Sequence, residues 1–158
     1  MESLTTMIRK AQKAGACDED IRKISRYETV EAVCKDRFAP FWACWYALHV
    51  VKGRFEAGEP IIATNAEWSY KYALNVIKGR FEAGEPIIAT DAEWSYSYAC
   101  HATGDRFEAG EPIIATSANL SYWYARRVIK GRFEAGEPII ATNADWSYYY
   151  SRDVLGEV

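Results

Sequence analysis

Residues 66–78 carry Ser69, Tyr72, Ala73 and Val76 at offsets i, i+3, i+4 and i+7, which line one stripe of an α-helix. The stripe returns 26 residues on as Ser95, Tyr98, Ala99 and Ala102, and again as Ser121, Tyr124, Ala125 and Val128. Asn65, Asp91, Ser117 and Asn143 stand just before these runs, and each can accept a bond from the first free N–H groups of a helix. Thr64, with Glu67 three residues later, offers a competing capping box one residue upstream. A degenerate copy, Ala39-Pro40-Phe41-Trp42, aligns 26 residues before Asn65-Ala66-Glu67-Trp68 and puts Pro40 at the first helical position. Gly53, Gly79 and Gly131 follow the runs as expected left-handed stops. The pattern predicts one long helix of about 13 residues per copy.

Between the long helices runs Gly-Arg-Phe-Glu-Ala-Gly-Glu-Pro-Ile-Ile-Ala-Thr, identical at 53–64, 79–90 and 131–142 and altered only in its first residue at 105–116. Glu56, Glu59 and an early Pro60 suit a helix start, so the string predicts a short helix with Phe55, Ile61 and Ile62 inward and Gly58 weakening its middle. A β-strand over 60–64 is the alternative. Units at a fixed period bury their apolar faces against neighbours. The fold expected is therefore all-α: an α-solenoid of stacked two-helix 26-residue repeats over 39–158, one continuous domain, closed by an atypical helical cap over 1–38. Within the cap, 3–14 and 18–24 read as helices, and Arg26-Tyr27-Glu28 echoes Arg54-Phe55-Glu56.

Differences between copies fall on the opposite stripe. Position 71 and its equivalents run Lys71, Ser97, Trp123, Tyr149; position 74 runs Leu74, Cys100, Arg126, Arg152; position 75 runs Asn75, His101, Arg127, Asp153; position 78 runs Lys78, Gly104, Lys130, Gly156. The degenerate copy adds Trp45, Leu48, His49 and Lys52. Variation confined to one face marks release from packing, which means solvent or a binding surface. Large aromatics and arginines sit there, the residue types that dominate interface energetics. Trp45, His49, Lys71, Asn75, His101, Trp123, Arg126, Arg127, Lys130, Tyr149 and Arg152 are the candidate partner-binding residues, densest at Trp123 with Arg126, Arg127 and Lys130 around it.

Charge and chemistry narrow the classes. Net charge is −3, with nine Lys/Arg against seven Asp/Glu over 1–53 and ten against fifteen over 54–158. That balance argues against bulk attraction to nucleic acid or an anionic membrane. Eight glutamates (Glu56, Glu59, Glu82, Glu85, Glu108, Glu111, Glu134 and Glu137) predict an acidic ladder. Its glutamates either pair with Arg54, Arg80, Arg106 and Arg132 to tie adjacent units, or imitate a phosphate backbone. Direct nucleic-acid binding through Arg126, Arg127 and Lys130 is the other nucleic-acid reading. Cys17, Cys34, Cys44 and Cys100 form no CxxC pair, and the first residues lack the apolar core of a signal peptide, which predicts reduced thiols in a cytoplasmic protein. No run of about 20 apolar residues predicts a membrane span. His101 and Cys100 are adjacent on a helix and point about 100° apart, a poor dyad. No metal-ligand spacing, phosphate loop or nucleophile motif is present, so neither cofactor, metal nor catalytic residue is expected.

The unit Asn/Asp-Ala-Glu-Trp-Ser-Tyr-x-Tyr-Ala-x-x-Val-Ile-Lys-Gly-Arg-Phe-Glu-x-x-Glu-Pro-Ile-Ile, over about residues 37–155, resembles short tandem α–α repeats of largely uncharacterised phage and bacterial proteins. The third copy departs at 100–105, where a kink or early helix end is expected. The resemblance implies no assigned activity; in a viral setting it implies an accessory protein that binds and disarms a host defence component. The expected function is a non-enzymatic protein-binding scaffold, with a homodimer through the end carrying Trp146, Tyr148 and Tyr150 compatible with it.

Overall fold

A computed structural model describes residues 2–157, the Glu31 side chain excepted; Met1 and Val158, the outermost residues of the two expected regions, lie outside the described residues. Three helices form the cap: α1 (Leu4–Lys13), α2 (Asp18–Ile24) and α3 (Val30–Val33), whose first N–H groups are capped by Ser3, Cys17 and Thr29. Long and short helices then alternate. The long ones are α4 (Ala39–Tyr46, continued through Ala47–Val51), α6 (Ala66–Tyr72 and Ala73–Ile77), α8 (Ala92–Ser97 and Tyr98–Thr103), α10 (Ala118–Tyr124 and Ala125–Ile129) and α12 (Ala144–Tyr150 and Ser151–Leu155). The short ones are α5, a 3₁₀ turn Glu56–Gly58 running into Glu59–Ile62, and its copies α7 (Glu82–Gly84, Glu85–Ile88), α9 (Glu108–Gly110, Glu111–Ile114) and α11 (Glu134–Gly136, Glu137–Ile140). The described residues contain no strand, which removes the β alternative at 60–64. Each long helix packs against the next long helix and against short helices, giving the two-layer helical solenoid the period predicts.

Helix starts follow the predicted caps. Asn65, Asp91, Ser117 and Asn143 accept from the N–H groups of Trp68, Trp94, Leu120 and Trp146, while Thr64 donates to the Ile61 carbonyl instead. In the degenerate copy Phe38 is the cap and Ala39 begins the helix, so Pro40 is one residue further in than expected.

Helix ends correct the sequence reading. The left-handed residue is not Gly53, Gly79 or Gly131 but the one before it: Lys52, Lys78 and Lys130, with φ of 56°, 58° and 56°. The last turn is widened to i→i+5 bonds, and the Ala73 carbonyl accepts from both Lys78 N–H (2.7 Å) and Gly79 N–H (3.3 Å). In the third and fifth copies Gly104 (φ 66°) and Gly156 (φ 70°) fill the same position at no steric cost. The departure at 100–105 thus brings no early end, because α8 runs to Thr103, the equivalent of Ile77 in α6.

The buried stripe of each long helix faces the short helices. Ser69, Tyr72, Ala73, Ile62, Ser95, Tyr98, Ala99 and Ile88 are all 0% exposed. Ser69, Ser95, Ser121 and Ser147 donate to the carbonyls of Ile62, Ile88, Ile114 and Ile140 at 2.9–3.1 Å, satisfying both groups, in the core for the first three and half-buried for Ser147. Gly58 stands where the 3₁₀ turn passes into the α-turn, and it and its copies allow close approach. A Cβ on Gly84 would lie 2.7 Å from Ser69 Cβ and one on Gly110 2.8 Å from Ser95 Cβ. Between the cap helices and α4 lies an apolar cavity of about 370 Å³, lined by Leu4, Met7, Ile8, Val33 and Trp42 among others. Among the described residues no helix is long and apolar enough to cross a membrane.

Candidate functional site

One polar network recurs in the repeat array, and it is structural. The Tyr72 hydroxyl accepts from Phe55 N–H (2.8 Å) and donates to Glu59 (3.0 Å), which in turn receives Arg54 Nε (2.7 Å). The same three links recur at Tyr98–Phe81–Glu85–Arg80, Tyr124–Phe107–Glu111–Arg106 and Tyr150–Phe133–Glu137–Arg132. Each arginine therefore pairs inside its own string, not across units as expected, and the tyrosine hydroxyl carries the link to the following long helix. The guanidiniums hold the carboxyls of Glu59, Glu111 and Glu137 below their ordinary value. Burial pushes the Tyr72 hydroxyl up to about 12. Half of the eight ladder glutamates are thus consumed by arginine, and Glu56, Glu82, Glu108 and Glu134 remain exposed. A ladder neutralised at every second carboxylate is a poor copy of a phosphate backbone.

The variable stripe is exposed at 75, 78, 101, 104, 126, 127 and 130 and half-buried at 71, 74, 97, 100 and 123. Trp45, Lys71 and Trp123 are half-buried, and His49, Asn75, His101, Arg126, Arg127, Lys130, Tyr149 and Arg152 are exposed. Toward the cap the contacts are local: Trp45 stacks on His49 at 4.7 Å, Lys71 pairs with Glu67 (2.5 Å) over the Trp68 ring (4.2 Å), and Asn75 donates to the Lys71 carbonyl. His101 meets the edge of Tyr96, at 6.4 Å.

At α10 and α12 the side chains converge. The Arg127 guanidinium lies 4.4 Å from the Trp123 ring centroid and that of Arg126 lies 5.6 Å from it. Arg126 donates to the Tyr122 hydroxyl (2.7 Å) and pairs with Asp153 (3.2 Å), which also receives Tyr122 (2.6 Å) and Arg152 (2.6 Å). Arg152 lies over Tyr149 at 5.1 Å and over Tyr148 at 5.4 Å. The bond from Arg152, then that from Tyr122, holds the Asp153 carboxyl well below the usual carboxylate range. Lys130 does not join: it occupies the left-handed cap of α10, and no ring or ion contact joins it to Trp123 among the described residues. The expected ring of three cations around Trp123 is therefore two. At the C-terminal end Tyr148 is 57% exposed but Tyr150 only 3%, so Tyr150 is unavailable to a dimer contact.

Sequence reasoning missed Asp153 and Tyr122. Asp153 was visible as the single acidic residue in its column, but its reach to Tyr122, 31 residues away, depends on how α12 lies against α10. It also missed the contacts between long helices. Trp94 of α8 stacks on Tyr70 of α6 at 5.6 Å, and Trp146 of α12 lies 5.4 Å from Tyr122 of α10. At the junction of α8 and α10 the tryptophan is replaced by Leu120, which lines one cleft together with Tyr96. A cleft of about 450 Å³ lies there, lined by residues including Glu93, Tyr96, Leu120, Trp123 and Arg127.

Among the described residues, no group of three or more His, Cys, Asp and Glu side chains stands together as metal ligands. Comparisons with protein-family models, with curated proteins and with solved structures return no match to this chain.

Proposed function

We propose that this chain is a non-enzymatic scaffold that binds another protein through the exposed row of its long helices, at the cluster of Trp123, Arg126, Arg127, Tyr149 and Arg152. One observation carries the reading. The arginines on this face are held before any partner arrives, Arg126 and Arg152 by the Asp153 carboxylate and Arg127 over an indole. Side chains already ordered lose less entropy on binding, and Trp, Tyr and Arg in a partly buried patch are the usual anchors of an interface. Elsewhere the repeats tie their buried polar groups to one another, and this face is the place where copies differ. The resemblance to phage repeat units extends the proposal to an accessory protein that occupies, and so inhibits, a host protein.

The test is affinity capture from cell extract with the native chain and with Trp123→Ala/Arg127→Ala, followed by titration of each retained protein in purified form. A protein bound by the native chain and lost to the variant, with the melting temperature within about 4 °C, supports the proposal. Equal binding by both chains refutes it. Binding to nucleic acid that weakens steeply with salt would favour the basic-patch alternative instead.

A further inference from the structure

We infer that the cleft between α8 and α10 receives a tryptophan side chain presented by the partner polypeptide. This deepens the protein-binding proposal and rests on it. The repeat supplies its own template. Where α6 meets α8, and where α10 meets α12, an indole from the later helix lies against a tyrosine ring of the earlier one, at 5.6 and 5.4 Å. Between α8 and α10 the tyrosine is present as Tyr96, but the later helix offers Leu120 in place of the indole. Tyr70 and Tyr122 each meet a tryptophan of the next long helix, whereas Tyr96 shares its cleft with Leu120.

The surroundings of the vacancy suit an aromatic guest from outside. Its other walls include Trp123 and Arg127, a second ring and a guanidinium 4.4 Å from that ring's centroid. Glu93 also lines the cleft and offers an acceptor for an indole N–H. An indole there would meet one ring in the offset or tilted manner that aromatic pairs prefer and could meet the cation through its own face. The cleft adjoins the Trp123 cluster, so a partner gripping that cluster brings its side chains within reach.

The experiment titrates ¹⁵N-labelled protein with N-acetyl-tryptophanamide and, separately, N-acetyl-leucinamide. The tryptophan probe is expected to shift the amides around Tyr96, Leu120 and Trp123 saturably, with Kd on the order of 1 mM, and the leucine probe is not. Leu120→Trp is expected to restore the repeat's own stack, raise the melting temperature by about 2–4 °C and abolish the probe's shifts. Should that variant fold poorly, Ser97→Trp closes the cleft from the other wall, at a position where other copies already carry Trp45 and Trp123. Absence of saturable shifts in the native chain, or shifts that persist in the filled variants, overturns the inference. The two levels separate cleanly. A captured partner still bound by Leu120→Trp with unchanged affinity but lost to Trp123→Ala/Arg127→Ala would sink the cleft alone. A partner bound equally by all three chains would sink the interaction face.

Discussion

Tyr124→Phe removes one oxygen from the centre of the repeat network and should cost far more than a surface hydroxyl. Tyr124 is 0% exposed and its hydroxyl serves two partners at once, accepting from Phe107 N–H at 2.9 Å and donating to Glu111 at 3.0 Å. Phe107 is itself 1% exposed, so water cannot replace the lost acceptor. Leaving a buried N–H without a partner costs about 1–3 kcal/mol. The bond to Glu111 adds less, because that carboxylate keeps Arg106 at 2.5 and 3.0 Å. The expected total is about 2–3 kcal/mol, or a fall in melting temperature of about 5–10 °C for a chain of this length. Tyr46→Phe is the internal control. Tyr46 holds the same place in the degenerate copy, but among the described residues its hydroxyl donates to Glu2 alone, at 3.2 Å, and its loss should cost under about 1 kcal/mol. Thermal and urea unfolding followed by circular dichroism decide it. If Tyr124→Phe costs no more than Tyr46→Phe, the network is not what couples one unit to the next.

Lys78→Gly and Lys130→Gly place glycine at the left-handed helix ends, as Gly104 and Gly156 already do, and should each stabilise by ~0.5–1 kcal/mol; a lower melting temperature refutes the cap assignment. Gly110→Ala pushes a Cβ to within 2.8 Å of Ser95 Cβ in the core and should cost ~1–3 kcal/mol in urea unfolding. Gly58→Ala should cost less, since Ala43 Cβ stands 3.3 Å away and the nearer Phe55 ring is half-buried where Phe107 is buried. Stability should also fall at both ends of the pH scale. Because the folded chain holds Glu59, Glu111 and Glu137 below 4.5, their contribution is complete above pH 4.5 and is lost as pH drops through the lower folded values. Tyr72 is raised from 10 to about 12, so its contribution is complete below pH 10 and fades between 10 and 12. Chemical denaturation across pH 2–12 should show both losses, and Tyr72→Phe should lessen the alkaline one, which Tyr46, Tyr98, Tyr124 and Tyr150 share because burial raises them too.

What could be known from residues alone was whatever repeats or acts locally. The 26-residue period implies stacked units, since a short amphipathic helix gains its burial only from a neighbour. Asn65, Asp91, Ser117 and Asn143 mark helix starts because a cap bond spans three residues at most. The buried stripe and the face released from packing follow from helical geometry in the same way. The helix ends were misassigned by one residue because Lys-Gly offers two candidates for a left-handed turn, and a widened last turn with bonds to the Ala47, Ala73 and Ala125 carbonyls selects the lysine. Arg54 with Glu59 was readable as an opposite-charge pair, but not its direction: whether it reaches sideways to a neighbour or folds back on its own string depends on where Tyr72 docks. The Asp153 cluster and the Leu120 cleft were least accessible, although both residues stand in plain view. Each acquires meaning only from the side chain that α10 or α8 brings opposite it, and that pairing is set by the lateral packing of whole helices, which no local pattern encodes.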